Sequence, residues 1–301
     1  MANLRDIKKR ISSVSTTEQI TRTMEMVSTA KIARALAREK RSEAYRQAIT
    51  DVMLTVAGDA GTESPLLVNP ETYERALIVA ISSDRGLAGG FNIQVERAAE
   101  ARIDHFRRHG AKEVELITCG RKVSDYFRGY PGVVMKVVGE SDNPTLQRAR
   151  EISDYVCAGF AEGRFGRVDV VYFHAKNRVD QVLREERVLP LDPSALELPR
   201  GPRGEEKGAP KRLTSPFSYE PSAEHVLDRL IPSYVLTVIH QALIDSAAAE
   251  QGARRKAMHS ATENAKTIIG DLTRTYNRVR QASITTEINE IVGGAAALED
   301  N

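Results

Sequence analysis

Three glycines, Gly86, Gly89 and Gly90, crowd into the stretch SDRGLAGGFN at residues 83–92. A glycine loop between a strand and a helix is where a dinucleotide-binding fold cradles phosphate. The spacing here is not G-x-G-x-x-G, and no Lys-Ser or Lys-Thr pair follows a glycine as a phosphate loop requires. No acidic residue stands at the end of a second strand to hold a ribose. A tight strand-to-helix turn, packed by a neighbouring element, is the expectation.

The other chemically capable side chains are scattered. The six histidines are His105, His109, His174, His225, His240 and His259. His105 and His109 have the i, i+4 spacing that can share a metal, but Arg107 and Arg108 beside them disfavour a cation. Cys119 and Cys157 sit in apolar contexts and read as buried thiols of a reducing compartment. There is no G-x-S-x-G. Glu25, Glu263 and Glu287 read as solvated charges. No catalytic group, metal or cofactor is expected, and the lack of Trp argues against a large aromatic-lined pocket.

The elements that would carry these residues are dominated by two long helices. In the last quarter, from Ser222 to Leu298, the inward positions read Met258, Ala261, Ala265, Ile268, Leu272, Thr275, Val279 and Ala282. Their steps alternate three and four, the seam of a coiled coil. From Ser233 to Ala297 such a helix would run about 95 Å. A rod of that length needs a second helix and something outside the chain around it. The N-terminus supplies the mate. Asn3 can cap a helix whose stripe runs through Leu4, Ile7, Ile11 and Val14, then shifts to Thr17, Ile20, Met24 and Val27, until Gly58 and Gly61 close it. Ser222 is the expected cap of the C-terminal helix, and Pro232 should kink or restart it.

Between the rods the period changes. Arg75–Ser82, Val114–Thr118, Val133–Val138, Val168–His174 and Gln181–Leu189 read as strands, the last antiparallel to its predecessor. Ile93–His109, Arg121–Arg128 and Pro144–Glu162 read as helices, with Leu146, Ala149, Ile152, Tyr155, Val156 and Phe160 inward. Strand–helix alternation implies a small Rossmann-like α/β domain with a largely parallel sheet. The predicted organisation is an N-terminal coiled-coil helix (1–58), an α/β base domain (70–192), a Pro/Gly-rich loop (193–221) and a C-terminal coiled-coil helix (222–301). Within the loop, 196–215 is too polar to order itself.

Charge is uneven along the chain. Residues 1–46 hold eleven Lys/Arg against five Asp/Glu, while the whole chain nets only +2. The basic N-terminal face suits solvent or acidic partner surfaces, and the overall balance gives no reason to expect nucleic acid. No run has the length of a membrane span and nothing resembles a secretory leader, so a soluble cytoplasmic chain is expected.

IKKRISSVSTTEQITRTMEMVSTAKI near the start and ENAKTIIGDLTRTYNRVRQASITTEINEIVGGAAAL near the end, joined by SDRGLAGGFN, resemble the gamma subunit of rotary (F-type) ATP synthases. The resemblance spans nearly the whole chain. It implies two antiparallel helices around an inserted α/β domain, acting as a central rotor shaft that couples c-ring rotation to the conformational cycle of the catalytic beta subunits. It implies as partners a ring of alpha and beta subunits around the helices, and an epsilon subunit and a c-subunit ring at the base. One copy per complex follows, not catalytic by itself, peripheral to the cytoplasmic face of a bacterial inner membrane and held there only through its partners.

Carried over by motif, Arg280, Gln281 and Thr285 in RQASIT, together with Met24 in MEMVS, are implied beta-subunit contacts. Tyr219 and Glu220 in SYEP are implied contacts to the c-ring. Ala88 stands where relatives often have Cys, the cysteine-bearing insertion of chloroplast relatives is absent, and the 196–215 loop looks longer than usual. A nucleotide-binding α/β enzyme and a generic coiled-coil tether are the alternatives. The first needs saturable nucleotide binding by the chain alone. The second needs no particular residue at 280 and 281.

Overall fold

The computed structural model describes residues 4–60, 73–177, 179–191, 218–220 and 222–299. The expected cap at Asn3, the closing Gly61, the Pro-flanked loop 63–70, Pro221 and the 196–215 loop lie outside the described residues. The elements are α1 (Leu4–Ala60), β1 (Arg75–Ile81), α2 (Phe91–Arg108), β2 (Glu113–Cys119), α3 (Arg121–Tyr126) with a following 3-10 turn (Phe127–Gly129), β3 (Val133–Val137), α4 (Leu146–Ala161), β4 (Arg167–Ala175), β5 (Gln181–Leu189) and α5 (Ala223–Glu299). The chain divides into two compact units, Met1–Val27 with Arg255–Asn301, and Ser28–Arg254.

In the larger unit the five strands take the order β3-β2-β1-β4-β5. β1 pairs in parallel with both β2 and β4, β2 in parallel with β3, and β5 antiparallel to β4. This is the largely parallel sheet that the alternation implies. β1 is buried on both faces, because successive side chains point to opposite sides. Ala76, Ile78 and Ala80 join a core with Phe91, Val95 and Ile103 of α2 and Val123 of α3. Leu77, Val79 and Ile81 join a second core with Ile152 and Val156 of α4, Met53 of α1 and Leu227, Ile231 and Val235 of α5.

Side-chain caps mark the starts of α4 and α5. Thr145 caps α4 by accepting from the Arg148 backbone N–H at 3.3 Å. Ser222 caps α5 by accepting from the His225 N–H at 3.3 Å, as its residue type suggests. Three local expectations fail. Gly58 lies inside α1 instead of closing it; one glycine near a helix end costs only about 1 kcal/mol. α5 continues through Pro232 without a restart. Proline inside a helix costs about 3 kcal/mol, while burial of each large apolar side chain returns about 1.5–3 kcal/mol, and Leu227, Ile231 and Val235 around it are at most 1% exposed. Leu146 is 50% exposed, not inward: it is the first residue of α4, ahead of the turn that meets the sheet.

The smaller unit pairs the start of α1 with the later part of α5. Thr21 meets Thr262 and Glu25 meets His259, so the two segments run antiparallel. On α1 the inward positions are Ile7, Ile11, Val14, Glu18, Thr21 and Glu25, an unbroken three–four alternation. Thr17, Ile20 and Val27, expected inward, are exposed, Ile20 to 54% and Val27 to 52%. On α5 the seam runs Met258, Thr262, Ala265, Ile269, Leu272, Tyr276, Val279 and Ser283. Ile268, assigned to the seam from sequence, is 48% exposed, and Ala282 is exposed as well. Thr21 and Thr262 enter the seam because each finds the other's hydroxyl, and Ile269 takes the place expected of Ile268, one position along.

Candidate functional site

Two regions could carry function: the carboxyl edge of the sheet, where open α/β folds bind ligands, and the surfaces of the long helices.

The carboxyl edge is already filled. Asp84, the second residue of SDRGLAGGFN, accepts hydrogen bonds from the backbone N–H groups of Arg121 and Gly139 at 2.9 Å and of Ser141 at 3.0 Å. Its carboxylate thus uses the amides that a phosphate would need. Burial pushes its pKa upward, but those three amides and the Ser141 side chain outweigh that and hold it below the ordinary value. Ser83 donates its backbone N–H to Asn92 Oδ1 at 3.0 Å, which folds the loop back on itself. Leu87 and Gly89 turn it through positive φ, at 63° and 60°. Ala88, in the middle, is buried.

Helix α5 closes the edge from above. Arg254 donates to the Gly86 carbonyl at 3.3 Å and pairs with Glu250 at 2.6 Å. Burial pushes the Glu250 pKa up, against the pull of Arg254. Gln251 donates to Asp142 Oδ1 at 2.6 Å, and Lys31 of α1 reaches Asp142 Oδ2 at 2.8 Å. The space left between Ile81, Cys119, Val137, Leu243 and Ser246 is about 20 Å³, enough for about one water molecule. A dinucleotide has no room there. The glycine loop is a structural clasp that fastens the sheet to the helices.

The remaining sequence candidates give no reactive centre. Burial pushes the Cys119 thiol up to about 12 and Cys157 up to about 11, so neither is a thiolate at neutral pH. The rings of His105 and His109 stack at 4.1 Å. Partial burial and then Arg102 lower the His105 pKa, which keeps the ring neutral among its arginine neighbours. Among the described residues no group of three His, Cys, Asp or Glu could hold a metal ion. His174, unremarkable in the sequence, has its Nδ1 2.5 Å from Asp245 Oδ2, while the Ala175 N–H donates to Asp245 Oδ1 at 2.8 Å.

The helix surfaces are different. Arg280, Gln281 and Thr285 are exposed on α5, and Met24 is half-buried on α1. Ile284, Ile288, Ile291 and Val292 are exposed to 47%, 53%, 71% and 61%. They share one side of the helix by their spacing and form an apolar row left uncovered by the described residues. Of the seam residues named from sequence, Ile7, Met258 and Ala265 are buried, Ile11, Val14, Ala261, Leu272 and Val279 are half-buried, and Ile268 is out. In the larger unit Tyr219 is half-buried against the core and Glu220 is exposed.

A family model described as ATP synthase matches residues 3–298. The chain belongs to the ATP synthase gamma-subunit family. Solved structures share the gamma-family fold. One is a chain of the Tetrahymena thermophila mitochondrial ATP synthase central stalk and c-ring, 23% identical with a TM-score of 0.57, over 80% of this chain and 99% of that one. Another, from the Euglena gracilis mitochondrial ATP synthase OSCP/F1/c-ring in rotational state 3, is 18% identical with a TM-score of 0.66, over 98% and 94%. A third, from the Euglena rotor in rotational state 1, is 18% identical with a TM-score of 0.60, over 93% and 98%. Among the described residues no helix is long and apolar enough to cross a membrane.

Sequence reasoning missed the clasp's chemistry and the polar seam. Asp84 gave no signal, because its three donors come from two other loops. The seam had one: Thr21 and Thr262 each fall on a three–four stripe as regular as the one read through Thr17 and Thr275.

Proposed function

We propose that this chain is the turning central shaft of an ATP synthase, one copy per complex and without catalytic groups of its own. The observation that carries the reading is the family match over residues 3–298. The helical unit stands within a ring of alpha and beta subunits. The α/β unit meets an epsilon subunit and a c-subunit ring. In a bacterial cell the complex would sit at the cytoplasmic face of the inner membrane, with this chain held there by its partners.

The mechanism follows from asymmetry. A single shaft inside a threefold ring offers a different face to each beta subunit, and differential contact energy is what shifts a conformational population. Rotation passes each face to the next subunit and so cycles all of them. Met24, Arg280, Gln281 and Thr285 are the proposed beta-subunit contacts, supported by their position at the surface of the paired helices. The apolar row from Ile284 to Val292 requires a protein cover, which the ring would provide. Tyr219 and Glu220 are the proposed contacts to the c-ring. Turning that ring would turn the base, and the interlocked seam would transmit the torque.

The test is co-purification. A tag on this chain should recover an alpha/beta hexamer with one copy of the tagged subunit, and the complex should hydrolyse ATP. Recovery of the chain alone from cells that contain the hexamer would overturn the proposal.

A further inference from the structure

A second cavity lies wholly within the Ser28–Arg254 unit and has no part in the clasp. It is a cleft of about 610 Å³ between α1, the start of α4 and α5. Arg38 and Arg41 reach it from α1 and Arg150 from α4, and among the described residues no carboxylate lines it. Arg41 and Arg150 are exposed and make no ion pair among the described residues. Arg38 donates to the side-chain oxygen of Asn143, a neutral partner that leaves its charge uncompensated. Tyr45, 61% exposed, stands one turn beyond Arg41 on α1, and the half-buried Leu236 and His240 line the α5 wall.

Three cations gathered in one concavity with apolar walls focus a positive potential. Guanidinium groups match phosphate oxygens in a fixed, two-pronged geometry that an ammonium cannot offer. The volume falls in the range of about 300–1,000 Å³ typical of small-molecule sites, far more than one inorganic phosphate would fill. Tyr45 presents an aromatic face, the surface on which a planar heterocycle stacks. An apolar ligand would leave the arginines unanswered, and a cation would be repelled.

We propose that this cleft binds a compound of linked phosphates, with Arg38, Arg41 and Arg150 holding the phosphates and, where the compound is a nucleotide, Tyr45 facing its base. The shared chemistry is the linked phosphates; the source is a nucleoside triphosphate or inorganic pyrophosphate. The cleft shares no residue with the SDRGLAGGFN loop on which the nucleotide-enzyme reading rests, so binding that the arginine variant removes does not speak for that reading, and failure of the proposal leaves the rotor reading untouched.

The experiment is equilibrium dialysis of the purified full chain against labelled ATP and labelled pyrophosphate at fixed salt. Saturable binding of one ligand per chain is expected. The double variant Arg41→Gln/Arg150→Gln should weaken it by at least about tenfold, since each lost charge-assisted hydrogen bond is worth that much. Lys8→Gln/Arg10→Gln removes the same charge elsewhere and should leave binding unchanged. If ATP binds more tightly than pyrophosphate and Tyr45→Ala removes the difference, the nucleoside source is supported. Equal binding that ignores Tyr45→Ala supports the inorganic source at the same arginines. Absence of saturable binding, full retention in the arginine double variant, or an equal loss in the Lys8/Arg10 control would overturn the proposal. Both mutated arginines are exposed, and circular dichroism of the variant separates lost binding from lost fold.

Discussion

The hydroxyls of Thr21 and Thr262 lie 2.8 Å apart, buried, across 241 positions of sequence. Each oxygen also lies within reach of a carbonyl of its own helix, Thr21 of Glu18 at 3.0 Å and Thr262 of Met258 at 2.9 Å; with one proton apiece, one hydroxyl donates across the seam while the other donates along its own helix. A seam built only of Leu and Ile would hold more tightly but would tolerate sliding. A polar pair at one level penalises any slip that leaves a hydroxyl alone among apolar groups, and so sets the register.

Replacing one member should therefore cost more than replacing both. Thr262→Val should destabilise the helical pair by about 1 kcal/mol, because the cross-helix hydrogen bond is lost and Thr21 keeps only the Glu18 carbonyl. Thr21→Val/Thr262→Val should recover most of that loss as an apolar contact. Urea unfolding followed by helical circular dichroism would measure the cycle; additive single and double effects would contradict the coupling.

Asp84 should behave as a structural carboxylate. Its pKa is held below the ordinary value in the folded chain. The unfolded chain therefore binds the proton first as pH falls. Its contribution is complete above the ordinary carboxylate pKa and is lost on acidification through the lower folded value. Asp84→Asn should cost about 2 kcal/mol at neutral pH, since three backbone donors lose a charged acceptor. The acid limb of its stability curve should be shallower than that of the parent, which stability measurements between pH 2 and 7 of roughly equal spacing would reveal.

Glu39 has the opposite sign. Burial, then Asp245 and Glu43, push its pKa to about 7, against the pull of His174 and Arg46. The folded chain holds a proton that the unfolded chain has released, so stability should fall as pH rises from the ordinary carboxylate value to about 7 and then level off. Glu39→Gln should remove that slope and stabilise the protein above neutrality by about 1 kcal/mol, allowing for solvent screening at a half-buried site. Thermal unfolding at pH 5.5 and 8, chosen as about one unit either side of neutrality, would show it; equal pH slopes in parent and variant would not fit.

Met24→Lys should impair coupling more than folding. It places a cation on a half-buried helix surface proposed to face acidic beta-subunit segments, and would change how strongly one rotary orientation is held. The ratio of ions pumped to ATP hydrolysed in inverted vesicles should fall while the melting temperature of the isolated chain moves little. An unchanged ratio would count against the contact.

What could be read from residue order was whatever depends on near neighbours. The three–four alternation along Ile7, Ile11 and Val14 announces a paired helix. The short apolar run at Arg75–Ile81 between a loop and a helix announces a parallel strand. Ser222 announces a cap. Each reflects a period or a hydrogen bond that closes within a few residues. The joined terminal and central motifs likewise sufficed for the family, since they are strings and need no folding to be compared.

Only the tertiary structure decided which member of each helical turn faces its mate. Ile20 yields its seam place to Thr21, because a hydroxyl is tolerable in a seam only when another stands opposite, and that partner, Thr262, lies at the far end of the chain; Ile268 yields to Ile269, which continues the step from Ala265. The same reason hid the clasp. Asp84 looks like any loop carboxylate until folding brings the amides of Arg121, Gly139 and Ser141 around it, and the glycine loop that could have held a phosphate then holds its own side chain instead. Arg38, Arg41 and Arg150 form one cleft for the same physical cause: separate stretches of chain acquire a common electrostatic field only once packing sets them side by side.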